Sequence, residues 1–260
     1  MSEPLLDVSG LSLAFGGLKA VTDFSLKLHQ GELQALIGPN GAGKTTIFNL
    51  LTGVYRPQQG EVRLGGRLLN GLPTHKIAAS GMARTFQNIR LFGDLTVLDN
   101  VRIACHLRAR AGLFSALLRT PAHVAEEAAI REKAMALLEV FSLADRHAEL
   151  SRNLPYGDQR RLEIARALGT EPKVLLLDEP AAGMNPQEKV ALSDLITLVR
   201  HRFGVTVLLI EHDMALVMKI CERITVIDHG VTIASGSPLE VQGNPAVIEA
   251  YLGAPSAEGH

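Results

Sequence analysis

The stretch "GPNGAGKTT", Gly38 to Thr46, restricts this chain to a small set of folds. Its glycines let consecutive backbone N–H groups turn inward to one side, a geometry that is useful only when a strand delivers the loop and a helix carries the chain away. Both neighbours are predicted: the apolar run "LQALI" ends directly before the loop, and "TTIFNLLTG" continues it with a helical period. Gly38, Gly43, Lys44 and Thr45 fit the spacing of a phosphate-binding loop, with Pro39, Asn40, Gly41, Ala42 and Thr46 completing the cradle. In such a loop the amides surround phosphate oxygens, the following helix points its positive end at them, Lys44 reaches the terminal phosphates and Thr45 holds Mg²⁺.

A second half is required, an acidic pair at the end of another strand, and "VLLLDEP" supplies it. Asp178 follows an apolar run and is placed to face Mg²⁺, while the adjacent Glu179 is placed to orient or deprotonate an attacking water.

The rest of the chain supplies a scaffold of matching type. Strand-like segments "LLDVSGLSL", "FSLKL", "LQALIG" and "EVRLGG" make the first third β-rich. From "LTVLDNVRIACHLRAR" the period becomes helical, and "PAHVAEEAAIREKAMALLEVFSL" begins with a proline suited to a first helical turn. Then "KVLLLDE", "VTVLLIEH" and "RITVID" return as short continuous apolar runs, the pattern of strands buried on both faces of a parallel sheet. The predicted fold is α/β: a phosphate-loop NTPase core with a β-rich N-terminal subdomain and an inserted helical subdomain. Residues 1–87 and 160–255 are expected to form the nucleotide-binding core of one domain spanning 1–260, and 88–159 the helical subdomain.

Composition narrows the partners. With 260 residues, 47% of them hydrophobic, a large core is available. Lys+Arg 26 against Asp+Glu 27 leaves a net charge of -1, so no global attraction to nucleic acid is expected, and no nucleic-acid partner. Cys105 and Cys221 lack metal-ligand spacing and read as buried thiols of a cytosolic chain. No apolar run approaches the roughly 20 residues that cross a bilayer, and the N-terminus lacks the pattern of an export signal. The basic run Arg160-Arg161 reads as a solvated helix face, and "LGAPSAEGH" as a frayed end.

The order of the motifs resembles that of the ATPase subunits of ABC transporters, over nearly the whole chain. Gly38–Thr46 matches the family's phosphate loop, Gln87 in "RTFQNI" its Q-loop glutamine, Leu154–Gln159 its signature, Asp178-Glu179 its second motif and His212 in "LLIEHDM" its switch histidine. Phe15 in "LAFGG" matches the aromatic that stacks on adenine. The resemblance implies ATP and Mg²⁺ as cofactors, with Glu179, His212 and Gln87 catalytic and Thr45, Gln87 and Asp178 around the metal. It also implies that Tyr156 and Gly157, at the start of the signature helix, approach the γ-phosphate held by an opposing subunit.

The match has departures. The usual signature has serine at Pro155, glycine at Tyr156 and glutamine at Asp158, and aspartate is usual at Asn185 in "AAGMNP". With "GMARTFQNIRLFGDLTVLDNV" and "NPAVIEAYLG", these departures resemble the branched-chain amino acid importer branch. The implied machine pairs this chain with a second ATPase subunit, expected to be a related chain because the signature is altered. It works on two transmembrane permease subunits through the segment near Gln87–Asn100, at the cytoplasmic face of the plasma membrane, and is served indirectly by a solute-binding protein. Urea or amide import and lipopolysaccharide export are the alternatives within the family. A DNA-directed ATPase needs a long coiled coil between Gln87 and the signature, for which the roughly 65 residues there are too few. A ribosome-directed one normally carries two cassettes.

Overall fold

The computed structural model of the chain describes residues 3–108 and 120–252. The expected frayed end after Leu252 and the last two residues of "LTVLDNVRIACHLRAR" lie outside the described residues. The chain divides into two compact units, one made of the chain up to Ile77 and from Leu176 onward, the other of Ala78–Leu175.

The first unit opens with β1 (Leu6–Phe15) and β2 (Leu18–Leu28), then β3 (Leu33–Ile37), α1 (Lys44–Leu51), β4 (Gln59–Leu64) and β5 (Arg67–Leu68), and α2 (Thr74–Ala79) leads out of it. β1, β2, β4 and β5 form an antiparallel sheet in the order β2-β1-β4-β5, with Val8 opposite both Leu26 and Val62. Alternation of apolar and polar residues along β1 puts Leu6, Val8, Leu11 and Leu13 on the buried face. This is the β-rich front expected from the sequence.

In the second unit, β6 (Met82–Arg84) precedes, among the described residues, the α-helices α3 (Val97–Cys105), α4 (Pro121–Val140) and α5 (Tyr156–Gly169). Thr96 caps α3 by accepting the Asp99 amide, and Thr120 caps α4 in the same way with Pro121 in the first turn. Val97, Val101, Ala134, Leu138, Leu162 and Ala165 bury the common face of these helices. The expected solvated face at Arg160-Arg161 is corrected here. Arg161 is partly exposed, but Arg160 is completely buried, paired with the equally buried Glu163 one helical turn on. β7 (Val174–Asp178) begins in this unit, where the amides of Lys173 and Val174 donate to Gly81 O, and ends in the first.

The chain then adds α6 (Pro186–Phe203), β8 (Thr206–Ile210), α7 (Met214–Ile220), β9 (Arg223–Asp228), β10 (Val231–Gly236), α8 (Pro238–Gln242) and α9 (Pro245–Leu252). The second sheet runs β10-β9-β3-β8-β7, with β3 parallel to both β8 and β9 and β10 turned back antiparallel on β9. Every residue of β3, β7 and β8 is buried, as their unbroken apolar runs predict. β3 therefore lies mid-sheet, and the carboxyl ends of β3, β7 and β8 lead into the phosphate loop, Asp178-Glu179 and His212 respectively. Ligands of open α/β sheets bind outside those ends. Among the described residues no helix is long and apolar enough to cross a membrane.

Candidate functional site

The phosphate loop is held open for an anion. Gly38, Ala42 and Lys44 are buried, while Asn40, Gly41 and Thr45 face outward and Pro39, Gly43 and Thr46 lie between. α1 starts after Gly43, whose φ of 104° is left-handed, and its N-terminus has neither a side-chain cap nor an acid in the first turn. Its orphan amides and the positive end of its dipole are thus left for a ligand. A Cβ on Gly43 would stand 2.6 Å from Ala20 O, so the position admits only glycine without movement of β2. On the other side the Gly230 amide, in the turn between β9 and β10, donates to Ala42 O at 2.9 Å.

Lys44 folds back on this loop, donating to Gly38 O at 2.6 Å and Pro39 O at 2.9 Å. Burial holds its ammonium below the usual lysine value, while Glu179 and Asp178 act in the opposite direction. A polyphosphate suits a partly desolvated cation of this kind.

The acidic end is built by neighbouring strands. Asp178 closes β7 and is buried. Glu179 adopts φ of 47°, a left-handed conformation that costs a non-glycine residue about 1 kcal/mol or more. It is fixed there on both sides: its amide donates to Ile210 O at 2.9 Å, and its carbonyl accepts the Ala182 amide at 3.2 Å. His212 Nε2 lies 2.5 Å from Glu179 Oε1. Among the described residues no three His, Cys, Asp or Glu side chains are grouped to hold a metal. One carboxylate, Asp178, with the Thr45 hydroxyl is instead a donor set of the kind Mg²⁺ completes with water and phosphate oxygens.

Phe15 ends β1 and is 46% exposed, its ring meeting Tyr55 edge-on with centroids 5.2 Å apart. A flat aromatic face is thereby presented to solvent rather than packed in the core.

Gln87, Tyr156 and Gly157 belong to the second unit. Gln87 sits in the loop after β6, and its carbonyl accepts from Arg160 Nη2 at 2.7 Å. Tyr156 is half-exposed, its ring 5.9 Å from the Arg160 guanidinium carbon and its hydroxyl accepting from Nη2 at 3.3 Å. Gly157 is the second residue of α5, whose N-cap residue, Pro155, makes no side-chain cap. The unusual Asp158 is answered locally: Arg146 Nη1 donates to it at 2.8 Å and Arg161 stands 3.6 Å away. Asn185 is the N-cap of α6, joined to Glu188 in a reciprocal capping box.

Several residues escape the sequence reading. Glu211, beside His212, is buried and gathers backbone from two loops, accepting from Ala181 N at 2.7 Å, His212 N at 3.0 Å and Asp213 N at 3.4 Å. Burial pushes its carboxyl above the usual value, against the three amides and with a smaller contribution from Glu179. An acid ending an apolar strand run was the available signal. Burial pushes the phenol of Tyr251 on α9 up, with the Gly38 backbone acting in the opposite direction, and no local pattern announces that proximity.

A phosphate loop and strand-end acids at the carboxyl edge of one sheet define an ATP-binding ATPase of the phosphate-loop class. Residues 21–182 match the family model described as ABC transporter, and 231–257 the one described as branched-chain amino acid ATP-binding cassette transporter. The chain belongs to the ABC transporter ATP-binding cassette family. It is 51% identical to the high-affinity branched-chain amino acid transport ATP-binding protein LivG of Salmonella typhimurium, over 97% of this chain and 99% of the relative. With BraF of Pseudomonas aeruginosa, a protein of the same description, it shares 49% over the same extents. Among solved structures, the ADP conformation of MJ1267, an ATP-binding cassette of an ABC transporter, superposes with a TM-score of 0.84 at 29% identity, covering 97% of this chain and all of that one.

Proposed function

We propose that this chain is the ATP-hydrolysing subunit of a membrane importer for branched-chain amino acids. The observation that carries the substrate class is the 51% identity with LivG along almost the full length of both chains. The branched-chain match at 231–257 points the same way, whereas the lipopolysaccharide-export alternative rests on a more distant relative, 35% identical over 96% of this chain.

In this reading the amides from Gly38 to Thr46 and the α1 N-terminus bind the phosphates, Lys44 exchanges its loop carbonyls for the terminal phosphates, and Phe15 stacks on adenine. Thr45, Asp178 and Gln87 hold Mg²⁺, which when bound neutralises developing charge on the phosphates. Glu179 takes the proton of the attacking water, and His212 holds the Glu179 carboxylate and contacts the γ-phosphate. Tyr156 and Gly157 act on the nucleotide of a second ATPase subunit, a related chain. The pair drives two transmembrane subunits at the cytoplasmic face of the membrane, and a solute-binding protein delivers substrate from outside.

Leucine uptake in cells lacking this chain tests the substrate class: loss of uptake, restored by the wild type but not by Glu179→Gln, is expected. Unchanged leucine uptake with loss of another transport activity overturns it. Purification through a tag on this chain tests the pairing, since recovery of this chain as the sole ATPase would sink the related partner.

A further inference from the structure

The loop after β6 has no helix or strand of its own between Phe86 and Arg90. Its backbone is held from below by α5. Arg160 Nη1 donates to Phe86 O at 2.6 Å and Nη2 to Gln87 O at 2.7 Å, while Glu163 Oε1 accepts the amides of Phe86 at 3.4 Å and Arg90 at 3.3 Å. The two side chains are joined to each other at 2.8 Å, and neither is exposed by more than 1%. One guanidinium thus touches both the carbonyl of Gln87 and the hydroxyl of Tyr156, the first residue of the signature helix.

Stability does not account for this arrangement. Desolvating two charges offsets most of their attraction, and apolar residues of similar volume commonly serve a core as well or better. What a buried ion pair adds is geometry: a planar fork matches two successive carbonyls, and a carboxylate matches the amides on either side. The bonds from this pair lead to the backbone on both sides of Gln87.

We propose that Arg160 and Glu163 are positioning residues for hydrolysis, fixing the Gln87 loop to the head of the signature helix so that the two move as one piece. The proposal rests on the role given above to Gln87. When α5 shifts toward or away from an opposing nucleotide, the clamp carries the Gln87 backbone with it, and a change felt at Gln87 returns to Tyr156 and Gly157 by the same route. The pair makes no contact with the reacting atoms and acts through Gln87.

The test is a double-mutant cycle of Glu163→Gln with Gln87→Ala, read as kcat and KM for ATP in the complex purified through a tag on this chain. Glu163→Gln is expected to lower kcat by about 10- to 100-fold, as small misplacements of catalytic groups do, with KM changed by less than about twofold. In the Gln87→Ala background the same substitution is expected to change kcat by less than about twofold, because the group it positions is already gone. Losses that multiply, or a Glu163→Gln complex with wild-type kcat, overturn the proposal. A Gln87→Ala complex with wild-type kcat overturns the reading of Gln87 itself, and the clamp falls with it for that separate reason. Should Glu163→Gln fail to fold, Arg160→Met with Glu163→Met removes both charges at similar volume. That variant is expected to melt like the wild type and still lose kcat, and retained kcat would reject the clamp.

Discussion

His212 Nε2 and Glu179 Oε1 stand 2.5 Å apart, joining the ends of two neighbouring strands, β8 and β7, through their side chains. With its proton on Nε2 the imidazole donates to the carboxylate and leaves the other carboxylate oxygen for a water. The backbone of Glu179 is strained at φ of 47° and held by Ile210 O, so the carboxylate direction is set by the sheet and not by a free rotamer search.

Glu179→Gln keeps the shape and the contact with His212 but cannot accept a proton. Its ATPase rate is expected to fall by a factor of about 10² to 10⁴, the usual worth of a general base, with ATP binding retained. Gel filtration with ATP then reports whether the trapped state is a pair. A variant that hydrolyses ATP at the wild-type rate excludes Glu179 as the base.

Glu211 carries a pH signature. Its folded carboxyl lies above the unfolded value of 4.5, chiefly through burial, so its stability contribution is full below 4.5 and is lost as the pH rises through the folded value. Glu211→Gln removes that ionisation. The stability difference between wild type and variant is therefore expected to shrink as pH rises across that window and to stay flat above it, as followed by urea unfolding at a series of pH values. A difference that grows with pH reverses the sign and rejects burial as the dominant cause.

Phe15 presents its ring outward beside Tyr55. If adenine stacks there, Phe15→Ala is expected to weaken binding of a fluorescent ATP analogue by about 2- to 12-fold, corresponding to about 0.5–1.5 kcal/mol for an aromatic stack, while Phe15→Trp retains it. Equal affinities for all three chains place the base elsewhere.

Most of the first unit was legible because its signals are local. The apolar runs of β3, β7 and β8 and the glycine spacing of 38–43 each carry their own physics, and the structure returns them where they were expected. What escaped depends on partners far apart in sequence. Arg160 looks like half of a basic surface run until Phe86 and Gln87 are folded against it, roughly 70 positions away, and nothing in "DQRRLE" distinguishes it from Arg161. Gly230 donates to a backbone carbonyl of a distant loop, which no side-chain pattern encodes, and the acid that ends the run before His212 does not show that its partner is the Ala181 amide. The charge of Asp158 is likewise answered from outside its own helix, by Arg146.

Asn185 replaces an aspartate usual in such loops, and the structure gives the residue a local task that either side chain performs. Its Oδ1 accepts the Glu188 amide at 3.0 Å, and Glu188 returns a carboxylate to the Asn185 amide at 2.9 Å, closing the first turn of α6 ahead of Pro186. Asn185→Asp keeps the acceptor and adds a charge favourable at a helix N-terminus, so its thermal midpoint is expected at or slightly above that of the wild type. Asn185→Ala leaves the Glu188 amide without its cap and is expected to cost about 1 kcal/mol, a fall of about 2–4 °C for a chain of this size. If Asn185→Asp instead melts as low as Asn185→Ala, the capping box is not what holds this residue in place.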